Sequence, residues 1–127
     1  MKDSRFFYLA TPYSHINNAI RERRFLMACE VAGFLLGNEL HVYSPIAHTH
    51  PIAVHCDLPK GFDFWKSYDT AIIKRCTDII VVMADGWKES MGVRSEIEIA
   101  QKLNLGVHYM WFPDYTDWFA TAESTLR

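Results

Sequence analysis

The chain has six glycines but no GxGxxG run and no GxxxxGK[ST] run, so the glycine-rich turns that seat a dinucleotide or a nucleoside triphosphate are missing. Cofactor-dependent redox chemistry and ATP hydrolysis lose ground accordingly. Cysteine is scarce: Cys29, Cys56 and Cys76 are odd in number and form no CxxC pair, which fits reduced thiols in a cytosolic protein better than a secreted disulfide framework. Positive charge is not in excess either. Thirteen Lys and Arg face fifteen Asp and Glu, a net charge of -2, which lacks the drive for nonspecific binding to nucleic acid. No nucleic-acid polymer is expected as a partner. No apolar run approaches the length of a membrane span, and MKDSRFFYLATPYS is broken by charge and proline before a signal-peptide core could form. The expectation is a cytoplasmic protein with no membrane partner. Repeats, low-complexity tracts and Gly/Ser linkers are also absent.

What the chain does have is 127 residues, half of them apolar, enough for a single domain over 1–127 whose core needs no disulfide or structural metal. FFYLA, residues 6 to 10, is short and apolar and stops at Pro12, so it reads as a first strand. From Asn17 to Leu36 the residues Phe25, Ala28, Cys29, Ala32, Leu35 and Leu36 recur at helical spacing, with Gly37 and Asn38 suited to a cap. LHVYS, residues 40 to 44, reads as a second strand, followed by a long loop from Pro45 to Gly61. FDFWKSYDTAIIKRC has Phe62, Trp65, Ile72 and Cys76 on one helical face, and DIIVVM at 78 to 83 reads as a buried strand. A loop, the helix VRSEIEIAQKLN, the strand VHYMWF and a short helix in the tail complete the pattern. The order implies a Rossmann-like α/β domain, with a mainly parallel sheet of four or five strands and helices on both faces. Ligands then bind outside the carboxyl ends of the strands, which puts LATPYS, SPIAHTH and ADGWKESMG on one rim and makes Tyr13 a substrate-binding candidate.

Two carboxylates invite a catalytic reading. Glu96 and Glu98 lie roughly 200 degrees apart on a helix, and with Val93, Ile97, Ala100 and Leu103 marking the core side, Glu96 falls beside that stripe in the first turns. The plain reading of Glu96 is a carboxylate favoured by the helix dipole. Asp69 follows Trp65 by one turn and precedes Ile72 and Ile73, surroundings that would raise its pKa, although a solvated helix residue is the plainer reading. Together the two could supply the paired carboxylates of glycosidic bond cleavage. Ser90 and Gly92, at the start of the Glu96 helix, offer a hydroxyl and free amides to a phosphate. His48, His50 and His55 with Cys56 and Asp57 match no standard zinc spacing, so no metal is expected. His48 and His50 are instead candidates for lining a sugar or phosphate pocket, and Trp87 for stacking on a planar base.

In order along the chain, FYLATPYS, the pattern D-x8-D-x-x-x-V from Asp69 through Asp78, and S-x-G-V-x-x-E-I-x-x-A from Ser90 to Ala100 resemble the nucleoside 2-deoxyribosyltransferase superfamily. Within it, the chain is similar to the deoxynucleoside 5'-monophosphate N-glycosidase branch and, more closely, to a group of small proteins of the same superfamily. The resemblance spans roughly residues 6 to 111 and implies a glutamate nucleophile at Glu96, a base-contacting aspartate at Asp69, a nucleophile-orienting tyrosine at Tyr8 and a phosphate-binding serine at Ser90. It also implies a structural acid at Asp78. The substrate implied is a nucleoside or nucleoside 5'-monophosphate, with no metal or organic cofactor, and the protein would be a homodimer or higher homo-oligomer. The sequence departs from that branch in its first loop, ATPYSHINNAIRER, where Arg21 or Arg24 would have to replace a phosphate-binding arginine. A non-catalytic module that binds a nucleotide or a nucleotide-derived metabolite is the alternative, since one fold hosts many functions.

Overall fold

The computed structural model of the chain describes residues 5–127. Its four strands, β1 (Phe7–Ala10), β2 (Val42–Tyr43), β3 (Asp78–Val82) and β4 (Gly106–Met110), form one all-parallel sheet in the order β2-β1-β3-β4. Five helices accompany them: α1 (Asn18–Gly37), α2 (Pro45–Cys56), α3 (Phe62–Ile73), α4 (Met91–Lys102) and α5 (Tyr115–Leu126). The fold is a Rossmann-like α/β domain with helices on both faces of the sheet.

Alternation along the strands divides the core. Phe7, Leu9, Ile80, Val82 and Met110 face one side, where they meet Val31 and Leu35 of α1 and Trp118 and Phe119 of α5. Tyr8, Ala10, Ile79 and Val81 face the other, against Ile73 of α3 and Val93 and Ala100 of α4. Because both faces are covered, the central strands bury every residue, which is why DIIVV reads as an unbroken apolar run after its first position. The aromatic tail closes the core through the buried Trp118 and Phe119.

Four expectations about elements are corrected. The stretch from Pro45 to Gly61 is not one long loop: its first twelve residues are α2, and only Asp57–Gly61 connects α2 to α3. Ser44, expected inside a strand, caps α2 by accepting the Ala47 N–H at 3.2 Å, and Pro45 occupies the first turn, where a missing N–H costs nothing. Pro51 lies inside the helix, and burial of Thr49, His50 and Ala53 offsets the hydrogen bond it forfeits. In α4 the core stripe is Val93, Glu96 and Ala100, whereas Leu103 is a half-exposed C-cap. In α3 the buried positions are Asp69 and Ile73, so Asp69 is no solvated helix residue.

Candidate functional site

Where β1 ends, the sheet changes direction: α1 leads outward to β2, and the next crossover returns to β3 on the other side of β1. Such a switch point leaves a crevice above the strand ends. That crevice measures about 440 Å³, counting its open mouth. The segment leaving β1 contributes Thr11, Tyr13 and Ser14, α2 contributes Ile46 and Thr49, and Lys60 comes from the α2–α3 connection. Phe62, Trp65 and Asp69 of α3 form a further wall, and Ser90 with Gly92, Val93 and Glu96 of α4 completes it.

The floor is a carboxylate pair under a tyrosine. Tyr8, fully buried in the central strand, donates its hydroxyl to Glu96 Oε2 at 2.5 Å. Glu96 and Asp69 are each only 6 % exposed. Burial pushes the Glu96 carboxyl up to about 8; the Tyr8 hydrogen bond opposes the rise and the charge of Asp69 adds to it. Burial likewise pushes Asp69 up to about 7, again opposed by Tyr8. The Tyr8 hydroxyl is itself held well above its ordinary value by burial and then by the charges of Glu96 and Asp69, so it stays a donor. Two carboxyls that ionise near neutral pH in one crevice release their protons as a pair, so losing one proton leaves one anion and one acid between them. A nucleophile and an acid can therefore coexist at neutral pH. Asp69 Oδ1 and Thr11 Oγ1 are buried with no hydrogen-bond partner among the described residues, which sets them apart from the satisfied polar groups of the core.

The cavity rim is polar and aromatic. Ser90 caps α4 by accepting the Val93 N–H at 3.1 Å, which leaves the hydroxyl hydrogen and the first free amides of the helix toward an anion. Gly92 is closely fitted: a Cβ there would lie 3.3 Å from the Phe62 ring. Lys60 adds positive charge, and Trp65 is fixed by its indole N–H bond to the Pro59 carbonyl at 2.8 Å.

A family model matches residues 5–111, a span that includes every strand and every residue of the carboxylate floor. The chain belongs to the family described as Domain of unknown function (DUF1937). No curated protein matches it.

In this DUF1937 chain the expected site residues divide into two groups. Tyr8, Asp69 and Glu96 come together, and Tyr13, Ser90 and Gly92 line the same cavity. His48, His50 and Trp87 do not line it. His48 is exposed on α2 beside Tyr43 and Tyr68. His50 is buried behind Tyr13, and Trp87 packs toward Tyr109 with Lys88 over its ring. The reason is the helix α2: a helical backbone turns successive histidines to different faces, where a loop would have let them gather. Arg21 and Arg24 spend their guanidinium groups on the backbone carbonyls of His15, Ser14 and Asp85, and neither lines the cavity. Glu98 is exposed.

Thr11, Thr49, Lys60, Phe62 and Trp65 were not singled out as site residues by the sequence. Trp65 had a signal in its i, i+4 spacing from Asp69; Thr49 and Lys60 had none short of the fold. Asp78 lies on the opposite face of the sheet, where it accepts from Arg5 at 2.7 Å, His108 at 2.8 Å and Thr77 at 2.6 Å. Burial alone would raise its carboxyl, but those three donors outweigh it and hold the group below its ordinary value. Among the described residues no cluster of His, Cys, Asp and Glu could hold a metal, and no helix is long and apolar enough to cross a membrane.

Proposed function

We propose that the protein is an N-glycosidase or N-deoxyribosyltransferase acting on a nucleoside or nucleoside 5'-monophosphate. The observation that carries this reading is the pair of buried carboxyls, Glu96 and Asp69, lining one cavity at the switch point of the sheet, with Tyr8 bonded to Glu96 from beneath. The Glu96 carboxylate attacks C1' of the sugar while the bond from C1' to the base nitrogen breaks, and the electron pair leaves with the base. Asp69 gives its proton to that nitrogen and becomes a carboxylate. Water then attacks C1' of the glycosyl ester, passing its proton to Asp69 and restoring the Glu96 carboxylate. A second base in place of water completes a transfer. Splitting one displacement into two is an established use of a carboxylate nucleophile.

Ser90, the α4 amides and Lys60 offer a seat for a 5'-phosphate, and Trp65 offers an aromatic face to the base. The chemistry calls on no metal or organic cofactor. Free Cys29, Cys56 and Cys76 support a reducing, cytoplasmic setting. The exposed rings of Tyr109 and Trp111 support association into a homo-oligomer, which sedimentation would measure.

The test is to incubate the protein with a panel of deoxynucleosides, nucleosides and their monophosphates and follow free base by chromatography. Wild type releases base, and Glu96→Gln loses at least about a thousandfold in turnover. Full turnover by Glu96→Gln would remove the nucleophile assignment. Ligand recovered intact after denaturation, together with a raised melting temperature, would favour a binding module instead.

A further inference from the structure

Glu22, His50 and Tyr13 form a chain of side chains that the proposed chemistry leaves unused. His50 is 5 % exposed, and both its ring nitrogens are engaged. Nε2 lies 2.8 Å from Glu22 Oε2, and Nδ1 lies 2.6 Å from the Tyr13 hydroxyl. The ring is also clamped between Phe25 at 4.5 Å and Tyr13 at 5.4 Å between centroids. Tyr13 in turn lines the cavity two residues after Thr11, whose side-chain oxygen has no partner among the described residues although the residue is only 4 % exposed.

A carboxylate only accepts, so the His50 hydrogen sits on Nε2 and points at Glu22. In the neutral imidazole Nδ1 is then bare, and it accepts the Tyr13 O–H. Tyr13 has spent its one hydrogen on the protein interior and has lone pairs left for the cavity. Thr11 holds both an unused hydrogen and unused lone pairs. We propose that Thr11 and Tyr13 form a hydroxyl-binding subsite, with a substrate sugar hydroxyl donating to Tyr13 and accepting from Thr11, and that His50 and Glu22 are positioning residues that fix Tyr13 as an acceptor. The inference rests on the glycosidase reading for its substrate and deepens it: the sugar must keep a free hydroxyl at this wall. Tyr13 meets a phosphate with lone pairs in place of a donor, which favours Ser90 and the α4 amides as the seat of any phosphate.

The experiment has two arms. In the first, wild type, Tyr13→Phe and Thr11→Val are assayed on a substrate and on its 2'-, 3'- and 5'-deoxy analogues. Wild type loses about 10- to 100-fold in kcat/KM for one analogue, because removing that hydroxyl strands two buried groups. Tyr13→Phe shrinks the penalty to about twofold, since the partner is already gone. A penalty that persists undiminished in both variants overturns the subsite. In the second arm, which needs no substrate, the nitrogen spectrum of the His50 ring is recorded in the whole protein. Hydrogen on Nε2 alone supports the assigned polarity, and hydrogen on Nδ1 overturns it. If wild type cleaves none of the panel, the glycosidase reading fails, and the spectrum still decides the polarity of Tyr13.

Discussion

Tyr8 reaches from the middle of the sheet to Glu96 on α4 and closes a 2.5 Å hydrogen bond in a place shut off from solvent. Burial raises the Glu96 carboxyl and the Tyr8 hydroxyl lowers it, so the carboxyl ionises where these opposed effects balance. Tyr8→Phe removes the lowering contribution and keeps the ring. The acid limb of the kcat/KM profile then moves to higher pH, and activity at neutral pH falls about tenfold per unit of movement. A profile over about pH 6 to 9 checks this; a lower rate with an unmoved limb would show that Tyr8 serves only packing.

The same carboxylates cost stability. Glu96 rises from 4.5 to about 8 and Asp69 from 3.8 to about 7, so the folded protein holds protons that the unfolded chain releases. Stability therefore declines as pH climbs from about 4 to 8, and the full cost is felt above that window. Glu96→Gln escapes its share. Its stability relative to wild type is expected to be about 2–3 kcal/mol more favourable at about pH 9 than at about pH 6, read from urea unfolding at both. An equal difference at the two pH values would sink the argument.

Asp78 predicts the opposite balance. Its three donors hold the carboxylate in its charged form, and the first residue of β4 presses on it: a Cβ on Gly106 would lie 2.4 Å from Asp78 Oδ2. Asp78→Ala strands the partly exposed Arg5 and costs about 2–3 kcal/mol, and Gly106→Ala costs about 1–3 kcal/mol by overpacking. Both variants keep wild-type turnover below their melting temperatures, because neither residue touches the cavity. Melting curves and the chromatographic assay, run on the same samples, test both halves of the statement.

Trp65 separates binding from chemistry. If its ring carries the base, Trp65→Ala raises KM about tenfold or more with a smaller change in kcat, and Trp65→Phe recovers most of the loss. A fall in kcat with KM unchanged would move Trp65 from the binding wall to the reacting centre.

The sheet was readable because buried parallel strands leave continuous apolar runs, as in DIIVV, and α1 shows its period through Ala28, Ala32 and Leu35, although Leu36, expected on the same stripe, is exposed. α2 was not readable: the interior Pro51 and three histidines lower local helix propensity, and its buried face has meaning only once α1 is in position. Glu96 was harder still. Periodicity placed it beside the core stripe, whereas in the fold it belongs to that stripe, and a buried carboxylate cannot be told from a surface one until its partner Tyr8, 88 residues away, is known.

Asp69 and Glu96 stand on different helices, α3 and α4, which lean on one another and on the sheet through Ile73, Val93 and Ala100. The spacing of the two carboxyls is therefore set by a seam between elements and by no single loop. That seam works as a caliper. A methyl group added or removed along it opens or closes the jaws, so such core changes would register in turnover before they register in melting temperature.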